Sequence, residues 1–383
     1  MPSNENSCLW RTQRLARPGD SQAAVDMLAL RCHRLSLDAG AGGLSGAVAL
    51  LASLSQAFRT VRAMGERLFD IGAEGPPLTR RERLASEAMK RREELGSAMP
   101  YRRVTSGGAG PMGQLDRPLL ICGPALEGLD MLPDRSVRTV VTSPPYWSLR
   151  DYEADGQIGR DDALGDYVKS IAVTFDKVRR VLTDDGTVWL NVGDSYTSGN
   201  RRYRAPDRKN RARAMRVRPT TPEGLKPKDL IGVPWRLALA LQDAGWWLRS
   251  EVIWHKPNAH PESVKDRPTK AHETVFLLSK SQDYYYDVDA VRGPNDRRLR
   301  TVWDINTEPR RRADSGVDDH PAVMPMTLAR QCVMITSEPG DVVLDPYAGS
   351  GTTLLAAREL DRRWVGIELN PAFVDLIEHR LAL

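Results

Sequence analysis

The sequence predicts an α/β protein with an open, mostly parallel sheet, helices on both faces and a mainly helical N-terminal extension. After residue 118, short apolar and β-branched runs alternate with segments whose apolar residues recur at helical spacing. Such alternation is typical of parallel strands joined by crossover helices. Residues 1–115 show helical patterns and a Gly-rich linker over 106–113, but no strand pattern. We therefore expect two parts, an extension over 1–115 and an α/β domain over 116–383.

Seven segments have the length and composition of buried strands. They cover residues 119–122, 139–141, 187–192, 248–254, 274–278, 342–344 and 364–367. Four helices are predicted among them. Apolar residues from Tyr167 to Leu182 recur every three or four positions, and two further helices are expected over 233–244 and 354–360. The last begins with Asn370 as N-cap, because Pro follows it at the first helical position.

Composition narrows the class of protein. The chain has 383 residues and 41% are hydrophobic. No apolar run reaches the roughly 20 residues that a membrane helix needs. The N-terminal residues lack the basic-then-apolar pattern of a signal peptide. The four cysteines are scattered and form no C-x-x-C pair, so neither a metal ribbon nor a disulfide framework is indicated. We expect a cytoplasmic protein without a metal.

Positive charge is concentrated in one stretch. The formal net charge is +5, but residues 199–218 contain nine Arg and Lys residues against a single Asp, a local charge of +8. The rest of the chain therefore carries −3. A focused basic segment on a mildly acidic body favours a polyanionic partner. A solvated surface loop is the alternative.

A glycine loop near the C-terminus predicts a nucleoside-type cofactor. Residues 340–353 read as a strand, a tight turn and a helix start, and Gly349 and Gly351 let the backbone approach a ligand. Glu368 ends the next strand, where an acid can accept hydrogen bonds from ribose hydroxyls. Leu354 replaces the third glycine of the dinucleotide fingerprint, and no Gly-Lys-Ser/Thr occurs. NAD, FAD and P-loop nucleotides are therefore disfavoured.

The segment Thr-Ser-Pro-Pro-Tyr, residues 142–146, is the second chemical signal. Two prolines fix the backbone and keep carbonyls available as acceptors. An enzyme that methylates the exocyclic amine of a base must take the base out of the duplex. The Tyr146 ring can hold it, while the Ser143 hydroxyl and the Pro144 carbonyl can accept the amine hydrogens. A direct displacement needs positioning rather than a covalent nucleophile. A rigid turn before a core aromatic is the alternative.

Both segments resemble S-adenosylmethionine-dependent DNA amino-methyltransferases over about residues 119–383. The Ser-Pro-Pro-Tyr form is most similar to the cytosine-N4 group, whereas adenine-N6 enzymes more often carry Asp at position 143. The catalytic segment precedes the cofactor loop, which resembles the circularly permuted β group. The resemblance implies a seven-stranded Rossmann-like methyltransferase sheet. Carbon-5 enzymes need a Pro-Cys pair, and the sequence has none.

The resemblance also implies the site residues. The catalytic set is Ser143, Pro144, Pro145 and Tyr146. The cofactor set, within 339–383, is Asp345, Pro346, Tyr347, Gly349, Gly351, Thr352, Glu368 and Asn370. The sequence departs from the family at Pro124, where an Asp that contacts the cofactor usually stands. This departure leaves open a catalytically weak DNA-binding remnant.

Two basic regions are predicted to bind DNA: an insert over 199–228 and a target-recognition region over 258–318. The candidate residues are Arg201, Arg202, Arg204, Arg208, Lys209, Arg211, Arg213, Arg297, Arg298 and Arg300. The expected function is methylation of cytosine N4 in double-stranded DNA after base flipping, by a bacterial or phage-encoded monomer or homodimer. A cognate restriction endonuclease is a further expected partner. Adenine N6 remains an open target, and an RNA or small-molecule methyltransferase shares the cofactor loop.

Overall fold

The computed structural model describes residues 101–108, 110–149, 152, 154–160, 162–197, 220–308 and 323–382. The predicted helices before residue 101 and the basic residues from Arg201 to Arg213 lie outside these ranges.

Eleven strands occur in the described residues. They are β1 Arg102–Thr105, β2 Leu119–Cys122, β3 Val137–Thr142, β4 Leu182–Val192, β5 Trp247–His255, β6 His272–Ser279, β7 Arg292–Gly293, β8 Arg297–Arg298, β9 Val302–Asp304, β10 Val342–Asp345 and β11 Arg363–Glu368. The α-helices are α1 Ala125–Asp130, α2 Leu164–Val181, α3 Val233–Asp243, α4 Met326–Thr336, α5 Thr352–Glu359 and α6 Pro371–Ala382. None of these helices is both long and apolar enough to cross a membrane.

Nine strands form one sheet in the order β1-β2-β11-β10-β3-β4-β6-β5-β9. Strand β6 is antiparallel to both of its neighbours, and the other neighbouring pairs are parallel. All seven predicted strands occur in it, so the α/β prediction is confirmed.

The sheet differs from the prediction at its two edges. Strand β1 lies in the segment assigned to the extension, and β9 is only three residues long. Arg102–Thr105 has one strongly apolar residue, Val104, and β9 buries only Trp303. Edge strands bury little, so they leave a weak pattern in a sequence.

Helices cover both faces of the sheet. One hydrophobic cluster packs α1, α2 and α3 against one face, and a second packs α4, α5 and α6 against the other. Successive strand residues pack into the two clusters in turn. In β4, Val188 and Leu190 pack into the first cluster and Trp189 packs into the second. A sheet buried on both sides requires nearly continuous apolar strands, which explains why the central strands were recognisable.

The sheet order brings the two chemical segments together. Strands β3 and β10 are parallel neighbours, with Thr139 paired to Val343 and Val140 paired to Leu344. Their carboxyl ends therefore lie at the same edge of the sheet. After β10 the chain continues to β11 on the opposite side from β3. Ligands bind in α/β proteins at such a point, where the strand order reverses.

Candidate active site and cofactor pocket

One cavity collects both predicted segments at the carboxyl ends of β3 and β10. The Thr142 hydroxyl donates a 2.7 Å hydrogen bond to the Asp345 carboxylate and links the two strand ends directly. The cavity is lined by Ser143, Tyr146, Tyr152, Met324, Asp345, Tyr347, Ala348, Gly349, Ser350, Thr352 and Thr353. Residues about 200 positions apart in the chain thus face the same space.

Two buried carboxyl groups lie on the cofactor side: Asp345 lines the cavity, and Glu368 is hydrogen-bonded to the lining residue Gly349. Asp345 also accepts a 3.1 Å hydrogen bond from the Tyr347 backbone N–H, and burial raises the pKa of its carboxyl to about 6. Glu368 accepts the backbone N–H groups of Gly349 at 2.7 Å and Asn370 at 2.9 Å. Burial outweighs these two bonds and raises the pKa of Glu368 to about 7.

The glycine turn has a conformation that other residues rarely adopt. Gly351 has φ 77° and is the N-cap of α5. A Cβ at this position would stand 2.9 Å from Cγ1 of Ile377 in α6. Both the backbone conformation and the close approach of α6 therefore require glycine at 351.

Asn370 fixes the entry to α6. Its Oδ1 accepts the backbone N–H of Ala372 at 2.9 Å, as predicted for an N-cap. Its Nδ2 donates to the carbonyl of Tyr152 at 2.9 Å, and the rings of Tyr152 and Phe373 meet edge to face with centroids 6.5 Å apart. This contact holds the loop after the catalytic segment against the cofactor side.

These groups fit S-adenosylmethionine. The Glu368 oxygens each hold one backbone N–H bond and retain lone pairs for ribose hydroxyls. Asp345 supplies an anionic group near a cationic ligand, and the N-terminus of α5 faces the same cavity through Thr352 and Thr353. The described residues contain no cluster of metal-ligating side chains.

The catalytic side is a rigid turn. Pro144 is buried, and the Pro145 carbonyl accepts a 2.9 Å hydrogen bond from the Tyr167 hydroxyl in α2. The Pro144 carbonyl accepts no hydrogen bond from the described residues. The turn therefore leaves one carbonyl acceptor unused next to Ser143.

Tyr146 belongs to a hydrogen-bonded network that sequence reasoning missed. Its hydroxyl accepts hydrogen bonds from the Ser143 hydroxyl at 3.1 Å and from the Asn191 amide at 3.0 Å. The same hydroxyl donates a hydrogen bond to the Glu273 carboxylate at 2.6 Å. The Asn191 amide also reaches Glu273, at 3.1 Å, and the Lys256 ammonium donates to the other carboxylate oxygen. Four separate segments of the chain meet here.

The charges in this network balance. The side chains of Lys256 and Glu273 are each only 17% exposed. Burial raises the pKa of Glu273, but the Lys256 charge and the hydrogen bonds to the carboxylate outweigh it and place that pKa below its usual value. Burial and the Glu273 charge together hold the pKa of Tyr146 well above its usual value. Glu273 is therefore an anion beside a neutral tyrosine. The sequence did offer one signal for Glu273: it directly precedes the predicted strand 274–278, and in the sheet it pairs with Trp254 at the end of β5.

The described flanks of the basic insert lie near this site. The backbone N–H of Thr197 donates to Asp229 at 2.9 Å, and that of Ile231 donates to Ser195 at 3.0 Å. The segments 195–197 and 229–231, on either side of the basic insert, are therefore bonded to each other just beyond the carboxyl end of β4. Arg201, Arg202, Arg204, Arg208, Lys209, Arg211 and Arg213 lie outside the described residues.

The second basic group lies on and beside a small hairpin. Strands β7 and β8 pair antiparallel through a turn in which Asn295 and Asp296 have positive φ. Arg297, Arg298 and Arg300 are exposed and form no ion pair with a described residue. Arg292 differs, because it pairs with Asp289 at 2.5 Å.

A family model described as DNA methylase, covering N6 and N4 amino-methyltransferases, matches residues 137–379. The chain belongs to this DNA methylase family. The methylase is 56% identical over 272 residues to the Type II methyltransferase M.Cfr9I of Citrobacter freundii, covering 70% of this chain and 89% of that one. It is 54% identical to M.SmaI of Serratia marcescens, covering 68% of this chain and 90% of that one.

Solved structures agree on the fold of the methylase. PvuII DNA methyltransferase, which is cytosine-N4-specific, aligns with TM-score 0.52 and 22% identity over 68% of this chain and 85% of its own. A DNA modification methylase from Thermus thermophilus, complexed with S-adenosyl-L-methionine, aligns with TM-score 0.50 and 27% identity over 69% of this chain and 92% of its own. The predicted family, fold and S-adenosylmethionine cofactor are confirmed. The roles of the individual site residues stay predictions.

Proposed function

We propose that this DNA methylase transfers the methyl group of S-adenosylmethionine to the exocyclic N4 of a cytosine that has rotated out of double-stranded DNA. The observation that carries the proposal is the single cavity lined by Ser143 and Tyr146 on one side and by Asp345 and Gly349 on the other. Serine at position 143, rather than aspartate, favours cytosine over adenine.

The cofactor side of the cavity binds and orients the methyl donor, which brings a methyl group on a positively charged sulfur. Glu368 accepts hydrogen bonds from hydroxyls of the ribose. The left-handed turn at Gly351 lets the cofactor loop pass against Ile377 of α6 and lead directly into the N-terminus of α5. The Asp345 carboxylate faces the positively charged donor, and its bond to Thr142 ties the cofactor loop to the end of β3.

The catalytic side presents the amine. The Tyr146 ring lines the cavity and supports the base, while the Ser143 hydroxyl and the free Pro144 carbonyl each accept one amine hydrogen. Two acceptors turn the nitrogen lone pair towards the methyl group. The new N–C bond forms as the C–S bond breaks, the sulfur leaves as a neutral thioether, and the methylated nitrogen then releases one proton to water. Positioning supplies most of the rate, so no covalent enzyme nucleophile is needed.

The basic regions position the DNA. The insert over 199–228 follows β4, which pairs with β3, the strand that precedes the catalytic segment, and a flipped base would enter at this edge of the sheet. Arg297, Arg298 and Arg300 neutralise further phosphates. The similarity to Type II methyltransferases supports a role in a restriction–modification pair, with an endonuclease that reads the same site.

Product analysis tests this proposal. The protein is expressed in a methylation-deficient bacterium, and hydrolysed DNA nucleosides are identified by mass spectrometry. We expect N4-methylcytosine, and much less of it with the Ser143→Ala variant. N6-methyladenine would overturn the assignment of the base. If the protein is folded and binds the cofactor but the DNA contains neither methylated base, the proposed reaction is wrong.

A further inference from the structure

The acceptor that receives the amine, Ser143, is the end of a chain of hydrogen bonds that begins at Glu273. The chain runs from the Ser143 hydroxyl to the Tyr146 hydroxyl over 3.1 Å and from there to the carboxylate over 2.6 Å. Glu273 lies at the start of β6, whereas Ser143 follows β3 on the far side of β4. The carboxylate is too distant in the chain to be part of the catalytic segment, yet it touches its tyrosine.

A carboxylate can only accept hydrogen bonds, so it fixes the direction of the whole chain. The single Tyr146 proton must point at Glu273. The Tyr146 oxygen can then only accept, and Ser143 must donate to it. This leaves the lone pairs of the Ser143 oxygen, and no proton, for the base. An amine with two N–H donors needs this arrangement.

Asn191 obeys the same constraint. Its Nδ2 donates to both Tyr146 and Glu273, at 3.0 and 3.1 Å. Its Oδ1 is buried and has no hydrogen-bond partner among the described residues. Rotating the amide would satisfy nothing and would set Oδ1 against the carboxylate. The orientation that leaves an unpaired buried oxygen is therefore the one that Glu273 imposes.

Lys256 holds the anion in place from the opposite side. Its ammonium donates to Oε1 of Glu273 and lies 4.3 Å from the centre of the Trp254 ring. Since an ammonium can only donate, it requires an acceptor at Oε1. The two carboxylate oxygens thus accept hydrogen bonds from different groups: Oε1 accepts from Lys256, and Oε2 accepts from Tyr146 and Asn191.

We propose that Glu273 is a positioning residue that orients the Ser143 hydroxyl as an acceptor for the amine of the target base. This inference rests on the proposed function, because it assumes that Ser143 meets an exocyclic amine. It applies equally to N4 of cytosine and N6 of adenine.

Glu273→Gln is the sharpest perturbation, because it keeps the shape and reverses the chain. Lys256 selects the orientation with the amide oxygen towards itself, so the amide NH₂ faces Tyr146. The tyrosine proton must then point to Ser143, and the serine proton points to the amine. The Ser143 O–H donor would then face an N–H donor of the amine, and no hydrogen bond could form between them.

The assay is single-turnover methyl transfer from radiolabelled S-adenosylmethionine to DNA. We expect Glu273→Gln to slow the transfer about 10²-fold, the scale of losing one positioning contact, with Kd for cofactor and DNA unchanged. Glu251→Gln, on the adjacent strand β5, makes the same chemical change outside the network and serves as control. In a Ser143→Ala background, Glu273→Gln should change the rate less than about twofold, since it acts only through Ser143.

Other results would contradict the inference. If the wild type is active and Glu273→Gln transfers the methyl group at the same rate, Glu273 has no positioning role. If Glu273→Gln lowers the rate by the same factor with Ser143 present and with Ser143 replaced by Ala, Glu273 acts independently of Ser143. If Glu273→Gln does not fold, Tyr146→Phe breaks the same chain without altering charge and must show the same dependence on Ser143. A wild type that methylates neither cytosine nor adenine contradicts the proposed function itself.

Discussion

Replacing Gly351 by Ala tests whether the cofactor turn is held by both conformation and packing. An alanine at φ 77° is in the left-handed region, which destabilises the fold by about 1–2 kcal/mol. The new Cβ also meets Cγ1 of Ile377 at 2.9 Å and Cγ2 at 3.1 Å. Overpacking of this kind adds about 1–3 kcal/mol. The expected total loss in unfolding free energy is about 2–5 kcal/mol.

Gly340→Ala is the matched control. Gly340 has φ 87°, but a Cβ at this position would meet nothing within 4 Å, so only the conformational part applies, about 1–2 kcal/mol. Urea unfolding measures both variants, and calorimetric titration with S-adenosylmethionine measures cofactor affinity. We expect Gly351→Ala to lose more stability than Gly340→Ala and to bind cofactor more weakly, because α5 and its N-terminal turn must shift. Equal stability losses would refute the packing argument.

Three further predictions concern charge. Burial raises the pKa of Asp345 to about 6 and of Glu368 to about 7, so the folded state holds protons that the unfolded state has released. The unfolding free energy of the wild type relative to Glu368→Gln should therefore fall by about 3 kcal/mol from pH 4 to 8, and a rise in this difference would contradict the assignment. Lys256→Met should destabilise the protein by about 3–5 kcal/mol in thermal unfolding, because it leaves a buried anion unpaired, and Lys256→Met/Glu273→Met should lose less. Changing Arg297, Arg298 and Arg300 to Ala should lower the slope of log affinity for DNA against log salt by about 0.9 for each lost phosphate contact. Fluorescence anisotropy measures that slope, and Arg292→Ala, whose guanidinium already pairs with Asp289, should leave it nearly unchanged.

The sequence was most informative where local pattern and chemistry coincide. The central strands are buried on both faces and therefore apolar, and the turn glycines and the Asn370 cap depend on neighbours in the chain. Both chemical segments follow predicted strands, so a shared sheet edge could be expected. Their direct link, Thr142 to Asp345, depends on β3 and β10 being neighbours, which only the sheet order reveals.

The Glu273 network could not be predicted in the same way. Its members come from the catalytic turn, the end of β4, the end of β5 and the start of β6. Which of these side chains meet depends on strand register, since a shift of one residue turns each side chain to the opposite face. The edge strands were missed for a different reason. Arg102–Thr105 forms a strand because it pairs with β2, and its own residues are not apolar enough to predict one.

The pairing of β3 with β10 also determines when the pocket can form during synthesis. About 200 residues separate the two strands, so the contact closes a very long loop, and such contacts are made late in folding. A nascent chain that has completed the catalytic turn has neither Asp345 nor Glu368, because both residues are synthesised about 200 positions later. The catalytic turn exists well before the chain can hold a methyl donor, and cofactor binding begins only after residues 342–368 have left the ribosome and inserted between β2 and β3.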